Sequence, residues 1–539
     1  MGEGETPTTV DVLVVGSGGA GLTAAIAAAD HGARVLVLER SDKFGGTTAY
    51  SGGKVWVPNN HHMRRLGIPD SEEGARAYLE RTTGNRYPRL ISAFLKQAPR
   101  MAEYLEANTP LKFYPCVNYP DYHPEWVGAT RGGRALDAMP FEAEVLGEYA
   151  GLVRRSPAFM PITHAEWEQW RSPLRFDREL IGRRIRTNVL TTGTAIVGAL
   201  LKGCLDRGIL LFRRHRAVRL VIDGGRVCGL EVESPSGRLT ITARRGVILA
   251  CGGFEWNRDL VDRFLRVPIR GAASPPWNEG DGLVMGAAVG AQLSTLGEAW
   301  WMPLLRVPGE EADGQPFYRA MISERGLPGS IIVNRRGYRF ANEALNYNDF
   351  MLLMGTFDPT TYERPNIPAF FIFDERFRRR YPIAKILPGE AVPEWVARAR
   401  SPRELAEKLG IDPEGLEQTL ERFNRFARRG VDPDFHRGEG AYDRYYGDPA
   451  VGPNPNLAPI EEPPFFGLEV IPGVIGTKGG LETDERARVL NVWGDVIPGL
   501  YACGNLAAFW LGPGYPGPGA SLGPGMTFGF IAGIDAARA

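Results

Sequence analysis

Residues 11–39 carry the pattern that leaves this chain the fewest options. D-V-L-V-V-G (11–16) is a short apolar strand that stops on Gly16. Ser17, Gly18, Gly19, Ala20 and Gly21 follow, then L-T-A-A-I-A-A-A-D-H-G, an alanine-rich helix ending at Gly32. A second apolar strand, A-R-V-L-V-L-E, finishes on Glu39. Strand, G-x-G-x-x-G, helix, strand and acid in this order form a dinucleotide-binding βαβ unit. Gly16 makes the tight turn, Gly18 lets backbone approach a pyrophosphate, and Gly21 lets helix and strand pack closely. The helix N-terminus stabilises phosphate charge, and Glu39 is placed to accept hydrogen bonds from the adenosine ribose. The fold class expected is α/β with a Rossmann-like sheet.

The unit alone does not separate NAD from FAD. The next segment, S-D-K-F-G-G-T-T-A-Y-S-G-G (41–53), sits directly after Glu39 and Arg40. Gly45, Gly46, Thr47, Thr48, Ser51, Gly52 and Gly53 make it a small-residue loop able to fold over a flavin with backbone amides, and a plain turn does not explain two Gly-Gly pairs. Two later segments return to the same sheet: R-R-G-V-I-L-A-C-G-G-F (244–254) and P-G-L-Y-A-C-G-N (498–505). The D-G-G at 223–225 reads as the turn of a hairpin leading into the first of these.

At 539 residues the chain exceeds one simple core, so two domains or one interrupted domain are expected. Lys plus Arg and Asp plus Glu balance at 63 each, which gives no net field toward nucleic acid or a strongly charged partner. Cys116, Cys204, Cys228, Cys251 and Cys503 are scattered without C-x-x-C spacing, so neither a metal site nor a disulfide framework is expected. A reducing, cytoplasmic setting follows. The N-terminus is polar and acidic, unlike a signal peptide, and T-A-I-V-G-A-L-L (194–201) is a core helix fragment rather than a membrane span. Phe159, Met160, Trp167 and Trp170 with Arg154 and Arg155, and A-W-W-M-P-L-L from 299, suit either buried packing or peripheral docking at a membrane surface.

Taken in order, these pieces resemble the fumarate-reductase/succinate-dehydrogenase type of FAD flavoprotein, and within it the 3-ketosteroid Δ1-dehydrogenases. The resemblance rests on V-V-G-S-G-G-A-G, F-G-G-T-T-A-Y-S-G, P-D-Y-H, N-E-A-L-N-Y-N-D-F, F-H-R-G-E, G-T-K-G-G-L-x-T-D and Y-P-G-P-G. It implies an FAD domain built from both chain ends, 1–296 and 465–539, with an inserted α+β catalytic domain at 297–464. It implies non-covalent FAD, consistent with the lack of His or Cys in 41–53. It adds Ala217, Val218, Ala250, Gly252, Gly253, Gly504, Asn505, Ala520, Ser521 and Leu522 to the flavin contacts. No second nucleotide pattern follows Gly253, so the external electron acceptor expected is a quinone or dye. The segment 140–190 matches the family pattern poorly. Lys478 stands where the fumarate-type enzymes carry His, which counts against a dicarboxylate substrate.

The implied reaction removes a proton from C2 of a 3-ketosteroid and a hydride from C1, the hydride passing to flavin N5. The resemblance makes Tyr347 the base, Tyr122 its hydrogen-bonding helper, and Tyr515 with the Gly519 amide the donors to the ketone. His123 is a rival base, its ordinary pKa lying nearer neutrality. His436 and Arg437 read as structural. Alternatives are a Δ4-dehydrogenase, an enone reductase, or a flavin-binding protein without turnover. W-L-G-P-G-Y-P-G-P-G-A-S (510–521) is then a stiff ketone-binding loop: Pro513, Pro516 and Pro518 lock its path, the glycines lie against flavin and substrate, and Ser521 caps the last helix. Gly525, Gly529 and Gly533 share one face of that helix.

Overall fold

Strand Thr9–Val15 is buried along nearly its whole length, as a parallel strand covered on both faces must be. It pairs in parallel with Val35–Leu38, Val12 opposite Val35, and on its other side with Gly237–Leu249, Leu13 opposite Val247. Leu210–Phe212 extends the sheet beyond Val35–Leu38, and Val496–Ala502 extends it beyond Gly237–Leu249. Both chain ends therefore build one sheet. The antiparallel hairpin Arg216–Asp223/Arg226–Ser234 turns where expected, Asp223 facing Arg226 across Gly224 and Gly225. These relations come from a computed structural model, which describes residues 6–539. The acidic start of the chain, on which the reading of the N-terminus rests, falls mostly outside the described residues.

Helix Gly19–Asp30 is buried from Gly19 to Ala28 save Ala20, sandwiched between the sheet and the last helix, Leu522–Arg538. Small residues permit this. A Cβ on Gly529 would lie 2.3 Å from the Ala20 carbonyl oxygen, and one on Gly533 2.3 Å from that of Ala24. Two members of the expected glycine stripe, Gly529 and Gly533, thus meet the first helix backbone to backbone, while Gly525 lies against Gly504. Helix Thr192–Leu205 contains the apolar run 194–201 and lies in the core. No helix among the described residues is long and apolar enough to cross a membrane.

The second layer is a largely antiparallel sheet of Ala299–Ala312, Gln315–Ala320, Ser330–Asn334 and Ala369–Asp374 around the long strand Phe465–Thr477. Helices Pro402–Leu409 and Pro413–Ala427 close one side through Leu405, Leu416, Leu420 and Phe423. One expectation needs correcting. The inserted layer does not stop at 464: Phe465–Thr477 is its central strand, Trp301 pairing with Val474 and Phe371 with Leu468, and Gly271–Ala272 joins it from the other flank. An apolar strand buried on both faces reads alike in either sheet, so its sequence carries no boundary.

Candidate active site

A cavity of about 500 Å³ lies where the two layers meet. Of the expected cofactor residues, Gly16, Gly18, Gly19, Ala20, Glu39, Arg40, Gly46, Thr47, Thr48, Ser51, Gly52, Gly53, Ala217, Ala250, Gly252, Gly504, Asn505, Ser521 and Leu522 border it. Gly21, Gly45, Val218, Gly253 and Ala520 do not. A Cβ on Gly21 would sit 2.0 Å from the Gly16 carbonyl oxygen, and one on Gly253 2.2 Å from Thr477 Oγ1, so these two serve packing. Gly45 donates its N–H to Ser17 Oγ at 3.0 Å, Ala520 its own to the Gly517 carbonyl, and Val218 lies half-buried in the hairpin.

At the nucleotide end Gly16 has φ +107°, a conformation that favours glycine, with the Ala250 carbonyl where a side chain would go. Helix Gly19–Asp30 starts with no side-chain cap and no acidic residue in its first turn. Its orphan N–H groups and positive dipole end fit a pyrophosphate. Thr48 Oγ1 takes one of them, Gly19 N–H, at 2.9 Å. Glu39 is anchored: one carboxylate oxygen accepts from Ser17 Oγ at 2.5 Å, the other from Ser41 N and Oγ at 2.9 Å. Arg40 is committed to Glu279 and Asp281. Asn278, which sequence reasoning missed, donates to Thr47 Oγ1 at 2.9 Å and to Glu255 at 2.7 Å.

At the other end three phenols meet. Tyr347 opens helix Tyr347–Met354, whose N-cap Asn346 accepts from Asp349 N–H at 3.0 Å. The Tyr122 hydroxyl donates to the Tyr347 hydroxyl at 2.8 Å. The Tyr515 ring lies 5.1 Å from that of Tyr122, 5.6 Å from that of Tyr347 and 4.7 Å from Trp300, centroid to centroid. Burial pushes Tyr347 well above the ordinary phenol pKa; the nearby Tyr515 adds to this and the bond from Tyr122 opposes it. Burial likewise raises Tyr122 and Tyr515, the latter eased by hydrogen bonds with Tyr347 and Ser521.

The 512–520 loop is stiff because its carbonyls are taken. Pro516 O accepts from Tyr122 N at 2.9 Å and Tyr78 Oη at 2.6 Å, and Gly519 O from Trp56 N and Gly523 N. Gly519 has φ +91° and borders the cavity, and its N–H has no acceptor among the described residues. Two expectations change here. Ser521 makes no capping bond; it is already helical, at φ −89° and ψ −47°, and its hydroxyl serves Tyr515. Gly514 and Gly517 lie against Thr82 and Trp56 rather than against a ligand. His123 does not border the cavity: its Nε2 is 3.2 Å from the Asp349 carboxylate and its ring stacks on Trp126 at 3.9 Å. Arg437 is structural as expected, fully buried against Glu343 and the carbonyls of Ser330 and Leu327.

The apolar wall was not anticipated. Tyr119, Met302, Phe317 and Tyr446 line it, joined by Phe159, Ile162 and Trp167 from the 140–190 segment. Trp300 and Met302 face the cavity while Trp301 enters the other core, the alternation of a strand. Arg154 clips the segment in place through Ser41 Oγ and Asp313, and Tyr50 holds the same Asp313. His61, His62 and Glu106 are the only metal-ligand type cluster among the described residues, and none borders the cavity. Arg65 donates to His62 Nδ1 at 2.9 Å, which leaves His62 Nε2–H to donate to Glu106, a hydrogen-bonded rather than a ligating arrangement.

Comparison with known proteins agrees with this geometry. The chain is 41% identical over 98% of its length to a 4-oxocyclohexanecarboxylate 2-dehydrogenase of Sinomonas cyclohexanicum, covering 93% of that protein. It is 40% identical over 98% of its length to a 3-oxosteroid 1-dehydrogenase of Mycobacterium tuberculosis, covering 98% of it. Among solved structures it resembles 3-ketosteroid delta1-dehydrogenase from Sterolibacterium denitrificans in complex with 1,4-androstadiene-3,17-dione, with TM-score 0.92, 38% identity, 99% of this chain and 100% of that one. Residues 11–522 match the FAD binding domain family, a span that takes in the cradle, the tyrosines and the sheet joining them, and the chain belongs to that family.

Proposed function

We propose that the chain is an FAD-dependent 3-oxosteroid 1-dehydrogenase. The observation that carries this reading is the buried Tyr122–Tyr347–Tyr515 cluster, with Gly519, on an apolar cavity continuous with the nucleotide cradle. FAD, when bound, supplies the acceptor for the C1 hydride. Tyr347 takes the C2 proton on its phenol oxygen. That oxygen must first be a phenolate, which the first turn of its helix and the hydrogen bond from Tyr122 favour, and it becomes the neutral phenol on taking the proton. Tyr515 Oη–H and Gly519 N–H donate to the ketone oxygen as enolate character develops. The wall of aromatic and aliphatic side chains excludes water and suits a fused-ring hydrocarbon.

A second substrate reading, a monocyclic keto acid, is favoured by the 41% identity to the cyclohexanecarboxylate enzyme. The charges of the cavity oppose it. Arg40, Lys54, Arg154 and Arg319 border the cavity, and each is paired with a carboxylate of the protein. Glu324 adds a further carboxyl to the wall. A substrate carboxylate would meet no free cation among these groups. The acceptor proposed for the reduced cofactor is a quinone. Phe159, on the cavity wall and 39% exposed, and its neighbour Met160, 44% exposed, support peripheral contact with a membrane, read by cosedimentation with anionic vesicles.

The deciding experiment is anaerobic titration of the yellow protein with 5α-androstane-3,17-dione, whose ring A is saturated at both C1–C2 and C4–C5, and with 4-oxocyclohexanecarboxylate, followed by flavin absorbance and product NMR. Bleaching by the steroid with a new C1–C2 double bond is expected. Bleaching by the keto acid alone transfers the reading to the second substrate, a C4–C5 double bond transfers it to Δ4-dehydrogenation, and no bleaching by either leaves flavin binding without turnover.

A further inference from the structure

Lys478 is fully buried, yet among the described residues no carboxylate makes an ion pair with it. Its Nζ donates instead to the carbonyl oxygens of Gly512 at 3.0 Å and Gly514 at 2.9 Å, with that of Pro513 at 3.4 Å. It also lies 4.4 Å from the centroid of the Trp300 ring and 5.8 Å from that of Tyr515. An ammonium has three N–H donors, and here three consecutive carbonyls of one turn receive them while an indole face lies beside the charge. A neutral amine has only two. The charged groups that face it are Glu298 and Asp349, which favour the ammonium, and Arg266, which opposes it; burial is the larger influence and brings the amine down to about 7.

The root of the side chain is as fixed as its tip. Lys478 N–H donates to Glu298 O at 3.0 Å, and its carbonyl accepts from Phe509 N at 2.8 Å. Asn348, next to Tyr347, adds a donor to Pro513 O at 3.1 Å. Beyond Tyr515 the loop is held separately, by Tyr122 and Tyr78 on Pro516. Tyr515 is thus the residue between two anchored turns, the first of them held by the Lys478 ammonium with Asn348 beside it.

We infer that Lys478 is a positioning residue for ketone binding: its ammonium clamps the Gly512–Gly514 turn and so fixes the aim of the Tyr515 hydroxyl. The catalytic consequence rests on the function proposed above; the clamp itself does not. The test uses FAD-loaded Lys478→Met, alone and combined with Tyr515→Phe. Lys478→Met should keep the flavin spectrum while peptides covering 509–516 take up deuterium faster than in the parent protein. Its kcat on a 3-ketosteroid should fall by up to about 10²-fold, the scale of a reacting group misplaced by about 1 Å, with KM much less affected. In the Tyr515→Phe background the same change should cost almost nothing further, because the group it positions is gone. Unchanged exchange at 509–516, or a loss that adds in full to that of Tyr515→Phe, overturns the inference. A parent protein inactive on every 3-ketosteroid overturns the proposed function only, and the exchange measurement then still decides the clamp. If Lys478→Met does not accumulate as holoprotein, Lys478→Gln, which retains two N–H donors on a shorter arm, is read the same way.

Discussion

Tyr347 is asked to accept a proton while burial holds its own phenol protonated, its pKa lying well above the ordinary value. For an acid raised in this way the ionised form is scarce below its pKa, so raising the pH supplies more of it. The expected profile of kcat/KM therefore rises with pH across the range in which the protein stays folded, without a plateau near neutrality. Tyr347→Phe should keep the flavin spectrum and steroid binding while losing about 10²–10⁴-fold or more in kcat, the span of general-base contributions. Near-normal turnover in Tyr347→Phe, with His123→Ala inactive instead, would return the role to His123, despite its contact with Asp349. Tyr515→Phe should lower kcat/KM by about 10²–10³-fold with flavin binding intact, the loss of one oxyanion donor. Gly519→Pro is the poorer probe of the second donor, since proline cannot reach the φ of +91° found there and would break the loop as well as remove the N–H.

Helix against helix, the tightest fit joins Leu522–Arg538 to Gly19–Asp30. Gly529→Ala sets a methyl 2.3 Å from the carbonyl of Ala20, in the first turn of the helix that receives the pyrophosphate. Overpacking of this kind costs about 1–3 kcal/mol. Thermal melting and FAD titration should show a lower Tm and weaker cofactor binding together; unchanged values for both would mean the first helix has room to shift. This element is legible in the sequence because each glycine does a local job, and so is the βαβ unit. The three tyrosines were legible only through the motifs around them, since nothing in a lone phenol separates a base from packing. The apolar wall was not legible: Phe159, Trp167, Phe317 and Tyr446 come from separate segments with no shared period, and only folding brings them together. The second layer's end was missed because Phe465–Thr477 is apolar on both faces, and Ser521 because a local capping rule cannot see the Tyr515 hydroxyl across the loop.

Across the whole molecule, the two layers are held over the cavity by Asp313, at the tip of the hairpin Ala299–Ala312/Gln315–Ala320, which Arg154 and Tyr50 grip from the flavin side. Cofactor retention on this plan needs enclosure rather than a covalent bond, and the 41–53 loop offers no His or Cys to make one. Acid or heat precipitation should therefore release all of the flavin as FAD into the supernatant, read by its absorbance and chromatography, and yellow colour left in the pellet would show a covalent link. The neighbours of Thr9–Val15 and Gly19–Asp30 carry a further consequence, for biosynthesis. Strand Val496–Ala502 and helix Leu522–Arg538 complete the sheet and the packing of its first helix, yet they are translated long after the elements they pack against. Contacts so distant in sequence form slowly, because a very long loop must close before they contribute. A ribosome-bound chain thus displays its first cofactor motif long before it can hold the cofactor. Flavin loading is expected to wait until both of these elements have been made and folded back, and until then the small-residue face of the first helix is exposed surface on which a chaperone can act.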